Sequence, residues 1–312
     1  MWDGARDRTE TKHAQEEIVV MKKPSQKMKV GIIGSGNIGT DLLYKVRRSK
    51  ILECSIFAGR DPGSKGIQRA KSMGVNTSFD SIGAIERNPE LCEIVFDATS
   101  ARAHLVNAPI LKRLGKHVID LTPSRVGKMC VPALDIKDSV AAENISMVSC
   151  GGQATAPIAR AIMEVHPETD YIEVIGSISS KSAGPGTRAN IDEYTQTTKD
   201  AILMYSGVPK AKAIIILNPA EPEVWMYNTV YATIKNPDIP KLKKKIKEVE
   251  KGIQRYVPGY RVTFGPVLEN GRVIVSTQVE GAGDFLPKYS GNLDIITSAA
   301  VRVAEEYARS KM

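Results

Sequence analysis

The sequence predicts an α/β protein of two parts: a doubly wound parallel sheet of the Rossmann type, then a second α/β unit built on a mostly antiparallel sheet. Three observations carry this prediction. Short apolar strands and amphipathic helices alternate from Lys29 to about Val165. A glycine-rich run, Gly34-Ser-Gly36-Asn-Ile-Gly39, stands between the first strand and the first helix. Beyond His166 the strands lengthen, and Asn270-Gly271 between the last two is a strong hairpin signal.

Taken in order, residues 30–33 read as a buried strand, 38–48 as a helix, 55–58 as a second strand and 64–73 as a second helix. Apolar strands over 93–97 and 117–121 flank a helix over 101–114, and a strand over 145–149 completes the series. The later strands are expected over 171–180, 211–217, 224–234, 260–267 and 272–279. Helices over 191–204 and 240–254 alone interrupt them, which predicts a sheet covered by helices on one face. A helix over about 292–309 closes the chain.

With 312 residues and 42% hydrophobic content the chain can fill two cores. The net charge of +8 is spread out, and its densest cluster, Lys241 to Lys251, interleaves with Leu242, Ile246, Val249 and Ile253. That spacing describes an amphipathic helix with a wet basic face, not a polyanion site. At 5% aromatic residues there is no stacking platform for single strands, so a nucleic-acid partner is not expected. Apolar stretches such as 213–217 are far too short to span a bilayer, and no membrane association is expected. Residues 1–27 are polar, of mixed sign and without apolar periodicity, and read as a disordered extension. Acidic residues in that extension argue against a transit peptide, and the cytoplasm is the expected compartment. Cys54, Cys92, Cys130 and Cys150 show neither a C-x-x-C pair nor zinc-like spacing, so neither disulfides nor a metal is expected.

Chemistry enters with the glycine run. Gly34 permits a tight turn, Gly36 lets backbone approach a pyrophosphate, and Gly39 allows close helix–strand packing. The helix opening there offers free N–H groups to phosphate. Asp61, after the second strand, stands near the position where a carboxylate would accept from a ribose 2′-OH, which favours NAD. Arg60 beside it could pair with a 2′-phosphate, so NADP is tolerated in this reading.

The candidate nucleophile is Cys150. It follows the strand over 145–149, and Gly151-Gly152-Gln153 leads through Pro157 into a helix expected over 158–165. A thiol at a helix N-terminus has its thiolate stabilised by the dipole and nearby N–H groups, which can also hold an oxyanion. The other three cysteines read as buried packing residues. Histidines stand only at 13, 104, 117 and 166, so no later segment can supply a histidine base. His166 itself reads as a cap on helix carbonyls.

Around Ser149-Cys150-Gly-Gly-Gln-Ala-Thr155 the sequence resembles the acylating acetaldehyde dehydrogenases of the aromatic meta-cleavage pathways. The resemblance continues through Ser35-Gly-Asn-Ile38, Phe96-Asp-Ala-Thr-Ser100, Ser182-Ala-Gly-Pro-Gly-Thr-Arg-Ala-Asn190, Asn218-Pro-Ala-Glu-Pro222 and Ser290-Gly-Asn-Leu-Asp294. It implies a fold like glyceraldehyde-3-phosphate dehydrogenase, with a dinucleotide-binding domain over 28–150 and a catalytic and dimerisation domain over 151–289. The helix within 290–312 is then expected to pack back on the first domain. The resemblance implies Cys150 as acyl-thioester nucleophile and NAD contacts from Ser35, Gly36, Asn37 and Ile38. It also implies NAD contacts from Ser182, Ala183, Gly184, Pro185, Gly186, Thr187, Arg188, Ala189, Asn190 and Asn292. Physically, the loop over 182–190 is small enough in its side chains to lie against a flat ring, and Asn292 could be a cap or a partner of the carboxamide.

The implied reaction joins acetaldehyde, NAD and CoA as co-substrate through a thioester on Cys150. The implied partners are a second copy of the chain and a 4-hydroxy-2-oxovalerate aldolase that channels acetaldehyde to it. One position departs from the pattern. The family has an aspartate six positions after Asn218-Pro-Ala-Glu-Pro222, where this chain has Asn228, and an amide cannot take a proton at neutral pH. Two other readings remain open from sequence: an acyl-phosphate or semialdehyde reductase of the same fold, and a catalytically silent NAD-binding redox sensor.

Overall fold

The computed structural model describes residues 27–184, 187, 188 and 191–312. The reading of residues 1–27 therefore lies, except for Lys27, outside the described residues, as do Pro185, Gly186, Ala189 and Asn190 of the expected cofactor loop.

The first sheet has seven strands: β1 (Met28–Ile33), β2 (Leu52–Ala58), β3 (Thr77–Ser78), β4 (Ile94–Asp97), β5 (His117–Asp120), β6 (Lys128–Met129) and β7 (Asn144–Ser146). All are parallel, in the order β3-β2-β1-β4-β5-β7-β6. The chain runs outward from β1 in one direction and then, from β4, in the other, so a crevice opens above the carboxyl ends of β1 and β4. Helices α1 (Asn37–Arg48), α2 (Lys65–Ser72), α3 (Ile82–Arg87), α4 (Ala101–Arg113) and α5 (Pro132–Ser139) make the crossovers. Val30, Ile32, Phe57, Ile94 and Phe96 are fully buried between the layers. Near-continuous apolar strands are what a sheet covered on both faces requires.

The sequence reading missed α3, α5 and the two-residue strands β3 and β6. Each is too short to show a period, and its position is set by the neighbouring strand.

The second sheet contains β8 (Tyr171–Ser179), β9 (Lys210–Asn218), β10 (Met226–Thr233), β11 (Tyr260–Glu269) and β12 (Arg272–Val279), ordered β11-β12-β10-β8-β9. Only β8 and β9 pair in parallel; the other three pairs are antiparallel. Asn270 and Gly271 turn β11 into β12, both with positive φ, as the Asn-Gly signal requires. Helices α6 (Cys150–Val165), α7 (Ile191–Ser206) and α8 (Ile239–Gln254) cover one face, with Leu242, Ile246 and Ile253 of α8 buried and its lysines outward. The other face carries Ile216, Tyr227, Phe264 and Leu268, each more than two-fifths exposed.

The last helix, α9 (Gly291–Lys311), packs on α1, α5 and α6. Its contact with α1 is polar and buried. Lys45 Nζ sits 2.6 Å from Asp41 and 2.7 Å from Asp294, and Thr297 Oγ1 donates to Asp41 at 2.6 Å. Deeper in the first sheet, Asp97 and Asp120 are registered opposite each other and fully buried. His104 stands between them, 2.8 Å from Asp97 and 3.5 Å from Asp120. Burial alone would lower the His104 pKa, but the two carboxylates outweigh it and raise it.

Candidate active site

The position of Cys150 follows from a kink in the backbone. Val148 adopts φ +62°, an uncommon conformation for a β-branched residue, just after β7 ends. Gly152 makes the kink possible, because a Cβ there would lie 2.6 Å from Val148 Cγ1. Ser149 then caps α6, accepting from Gly152 N at 2.9 Å and sharing a hydrogen bond with Thr198 Oγ1 of α7 at 2.7 Å. Gln153 ties the same turn to the sheet through the carbonyls of Cys130 and Met147.

The helix therefore begins at Cys150, not at residue 158 as the sequence reading had it. Pro157 suggested a start and is instead inside the helix, where it cannot donate to a carbonyl one turn back. Tyr260 Oη reaches into that turn and donates to Ala154 O at 2.8 Å. His166 ends the helix, but its side chain does not cap carbonyls. Nδ1 meets Glu168 at 2.9 Å, and Nε2 accepts from Asp238 N at 3.0 Å.

Cys150 is half-buried, and its Sγ lies 3.8 Å from the Tyr194 hydroxyl. Burial pushes its thiol pKa up to about 11, against opposing hydrogen bonds from Tyr194 and backbone N–H groups. The N–H groups at the helix start thus favour the thiolate, as the sequence suggests, but burial outweighs them. Cys54, Cys92 and Cys130 lie in or beside the cores, and burial raises their pKa values as well.

Cys150 opens on a cleft of about 130 Å³ between the two sheets. The cleft also receives Ile38 from α1, Thr99 and Ser100 after β4, Thr122 after β5, Thr187, and Asn292 from α9. Of the residues singled out from sequence, Cys150, Ile38, Thr187 and Asn292 meet here. Asn292 is the second residue of α9 and not its cap, which is Ser290. It is 2% exposed, and its Oδ1 has no donor in the structure.

The glycine crest lies at the same crevice. Gly34 has φ +105° and Gly39 rests directly on the Gly34 carbonyl, so neither admits a side chain. Gly36 faces open space, with nothing within 4 Å of where a Cβ would stand. The first turn of α1 has neither an acidic residue nor a side-chain cap, leaving its N–H groups for an anion. An open glycine, a free helix end and an unpaired buried amide oxygen fit a nicotinamide dinucleotide laid along the crevice.

Ser35 Oγ bonds Ser64 Oγ at 3.0 Å. Asp61 is exposed and its Oδ1 accepts from Gly63 N at 2.8 Å, with Arg60 exposed beside it. In the later loop, Ser182 Oγ donates to Ser179 O, and Arg188 holds the carbonyls of Ala183 and Ser180. Ala183 is buried.

Asn228 is fully buried on the helix-covered face of the second sheet, registered opposite Gly176 and Thr277. Its Nδ2 donates weakly to Thr277 Oγ1 at 3.4 Å, and its Oδ1 has no donor.

Sequence reasoning missed Tyr194, Thr99 and Thr122. The threonines were findable, since ligands sit beyond the carboxyl ends of strands at the switch point. Tyr194 gave no such signal, because only the fold brings α7 against the start of α6. Among the described residues no group of three or more metal-ligating side chains is assembled, and no helix is long and apolar enough to cross a membrane.

A Rossmann crest, a cysteine at a helix start and a shared cleft define an oxidoreductase of the dehydrogenase type. The chain is 51% identical to acetaldehyde dehydrogenase of Spirochaeta aurantia over 91% of its own length and 95% of that protein's. It is 52% identical to acetaldehyde dehydrogenase of Geobacillus stearothermophilus over 92% and 98%. Residues 150–287 match the dimerisation-domain family of prokaryotic acetaldehyde dehydrogenase. This chain belongs to the acetaldehyde dehydrogenase family. Its fold is that of aspartate semialdehyde dehydrogenase II from Vibrio cholerae, at a TM-score of 0.63 and 14% identity, covering 92% of this chain and 100% of that one.

Proposed function

We propose that the chain is a CoA-acylating acetaldehyde dehydrogenase, converting acetaldehyde, NAD and CoA into acetyl-CoA, NADH and a proton. One observation supports this most directly: among the described residues, the thiol bordering the cleft is that of Cys150, which heads α6, and Ile38 of the dinucleotide motif and Asn292 line the same cleft.

Cys150 sulfur adds to the aldehyde carbon, and the carbonyl oxygen, carrying the charge, takes donors from the first N–H groups of α6. A bound NAD would supply the hydride acceptor for that carbon, and Cys150 would then carry the acetyl group as a thioester. Ile38 and Thr187, which line the cleft, would border the nicotinamide, and Asn292 Oδ1, which has no donor, would accept from its carboxamide. Ser35, Gly36 and Asn37 would hold the pyrophosphate, and the loop over 182–190 is a further cofactor contact in this reading. The thiol of CoA then attacks the thioester and departs as acetyl-CoA, returning Cys150 to its thiol.

NAD is the preferred cofactor, with Asp61 toward the ribose and Arg60 giving tolerance of NADP. The exposed apolar face of the second sheet pairs two copies of the chain. A 4-hydroxy-2-oxovalerate aldolase completes the assembly and delivers acetaldehyde, a volatile and reactive substrate, without release.

The deciding experiment is NADH formation from acetaldehyde and NAD with and without CoA. Formation that depends on CoA and yields acetyl-CoA is expected; formation that proceeds equally with phosphate or water instead would overturn the reading. For the assembly, an external dehydrogenase that captures all aldehyde made by the mixed enzymes would rule out channelling.

A further inference from the structure

The Tyr194 hydroxyl approaches Cys150 through a gap that Gly151 leaves. A Cβ at Gly151 would overlap Tyr194 Oη, so the glycine after the nucleophile admits this hydroxyl. Gly176 leaves a second gap: the point where its Cβ would stand is 3.5 Å from Tyr194 Oη and 3.2 Å from Asn228 Oδ1. A thiol, a phenol and an amide oxygen without a donor therefore border one buried space between α6, α7 and the second sheet.

Among the described residues, no charged group enters that space. On α7, Asp192 and Glu193 are exposed and Asp200 pairs with Arg125. Glu173 of β8 accepts from Tyr171, and Asp294 of α9 pairs with Lys45. Asp97 holds Thr99, His104 and Asn107, while Asp120 holds Thr122 and Ser124. Arg188 is bound to backbone carbonyls. Tyr227 and Tyr231 of β10 alternate with Asn228 and so lie on the opposite face of the sheet. Among the described residues, the ionisable group facing Cys150 is thus Tyr194.

We propose that Tyr194 is the positioning residue of the nucleophile: its hydroxyl accepts the Cys150 S–H at rest and donates to sulfur once the proton has left to cleft water. Burial raises the Tyr194 pKa well above its ordinary value, so the phenol keeps its own proton throughout and acts as a donor, not as a base. The amide at Asn228 matters for the same reason. A carboxylate there would compete with sulfur for the Tyr194 proton and add like charge beside a thiolate.

This assignment deepens the reading of Cys150 as nucleophile, and its test needs neither aldehyde nor CoA. The rate of Cys150 alkylation by iodoacetamide is followed against pH in the full-length protein, by mass of the Cys150 peptide. A hydrogen bond to a charged acceptor is worth about tenfold or more in equilibrium. Tyr194→Phe, which keeps the ring, is expected to move the alkylation midpoint up by about one pH unit, with thermal midpoint and NAD binding close to wild type. In turnover, kcat at neutral pH falls about tenfold while KM for aldehyde moves less. Asn228→Asp retains Tyr194 and is expected to raise the midpoint also. An unchanged profile in Tyr194→Phe would reduce Tyr194 to packing, and a lowered midpoint in Asn228→Asp would give control of the thiol to the carboxylate; either overturns the proposal. A shifted profile in a protein that makes no acetyl-CoA would instead overturn the proposed function and leave this assignment standing.

Discussion

At the scale of single residues, four cysteines are separated by where the fold puts them. Cys54, Cys92 and Cys130 belong to the first-sheet cores, while Cys150 heads a helix and reaches a cleft. Cys150→Ala is expected to lower CoA-dependent NADH formation by roughly 10⁴-fold or more, as loss of a covalent nucleophile does. NAD affinity, measured by fluorescence titration, should stay within a few-fold, because the glycine crest lies on other elements. The place of Cys150 between a strand and a helix was legible in the sequence, and its Gly-Gly-Gln sequel set it apart from a packing cysteine. Its ionisation was not legible: burial and Tyr194 set that, and neither is near Cys150 in the chain. Arg60→Ile should raise the NAD to NADP ratio of kcat/KM several-fold by removing a cation beside Asp61. An unchanged ratio would mean that Arg60 points only to solvent.

At the scale of elements, the start of α6 depends on Ser149. Its side chain caps the helix and also reaches Thr198 on α7, so one hydroxyl fixes both the helix end and the neighbour that carries Tyr194. Ser149→Ala should cost about 1 kcal/mol in urea unfolding for the cap alone. Turnover should fall further than stability does, since Cys150 is the first residue beyond the cap. Equal turnover in the variant would show that Gln153 suffices to hold this turn. The sequence placed α6 eight residues late because a proline preceded by two glycines reads as a loop. Within the fold each of those residues answers to a specific neighbour: Gly151 to Tyr194, Gly152 to Val148, and the Pro157 turn to Tyr260.

At the scale of the whole molecule, α9 joins the end of the chain to its beginning. Lys45 is buried between Asp41 and Asp294, and Asn292 stands two residues before Asp294 at the cleft. Lys45→Met leaves two buried carboxylates without a cation, a change that costs about 3–5 kcal/mol. A lower urea midpoint and weaker NAD binding are expected together, because loosening α9 moves Asn292. The far end of α9 depends on His117, which stacks on Tyr307 with ring centroids 3.8 Å apart. Burial pulls the His117 pKa down to about 4. The unfolded chain, with an ordinary pKa near 6.5, binds the proton first, so this contribution is whole above pH 6.5 and is lost as pH falls toward 4. Asp120, raised by burial to about 6, works in the opposite direction over part of that range. The difference between wild type and His117→Phe isolates the histidine. Wild type should lose up to about 3 kcal/mol more than the variant between pH 7 and pH 4. Parallel stability curves for the two proteins would sink that account.

The sequence by itself determined the class of fold, the dinucleotide crest and the cysteine. Those properties are written in local patterns: apolar period, glycine spacing, and a cysteine between a strand and a helix. Most strand positions followed too, since a buried parallel strand is a contiguous apolar run wherever it stands. Only the tertiary structure decided what surrounds the cysteine. Tyr194 lies 44 residues from it, and Asn292 comes from a helix docked across the other sheet. The burial that raises the thiol pKa is a property of all these neighbours at once. Contacts of that kind depend on how elements pack rather than on what each residue prefers, so no pattern within a short window could have announced them.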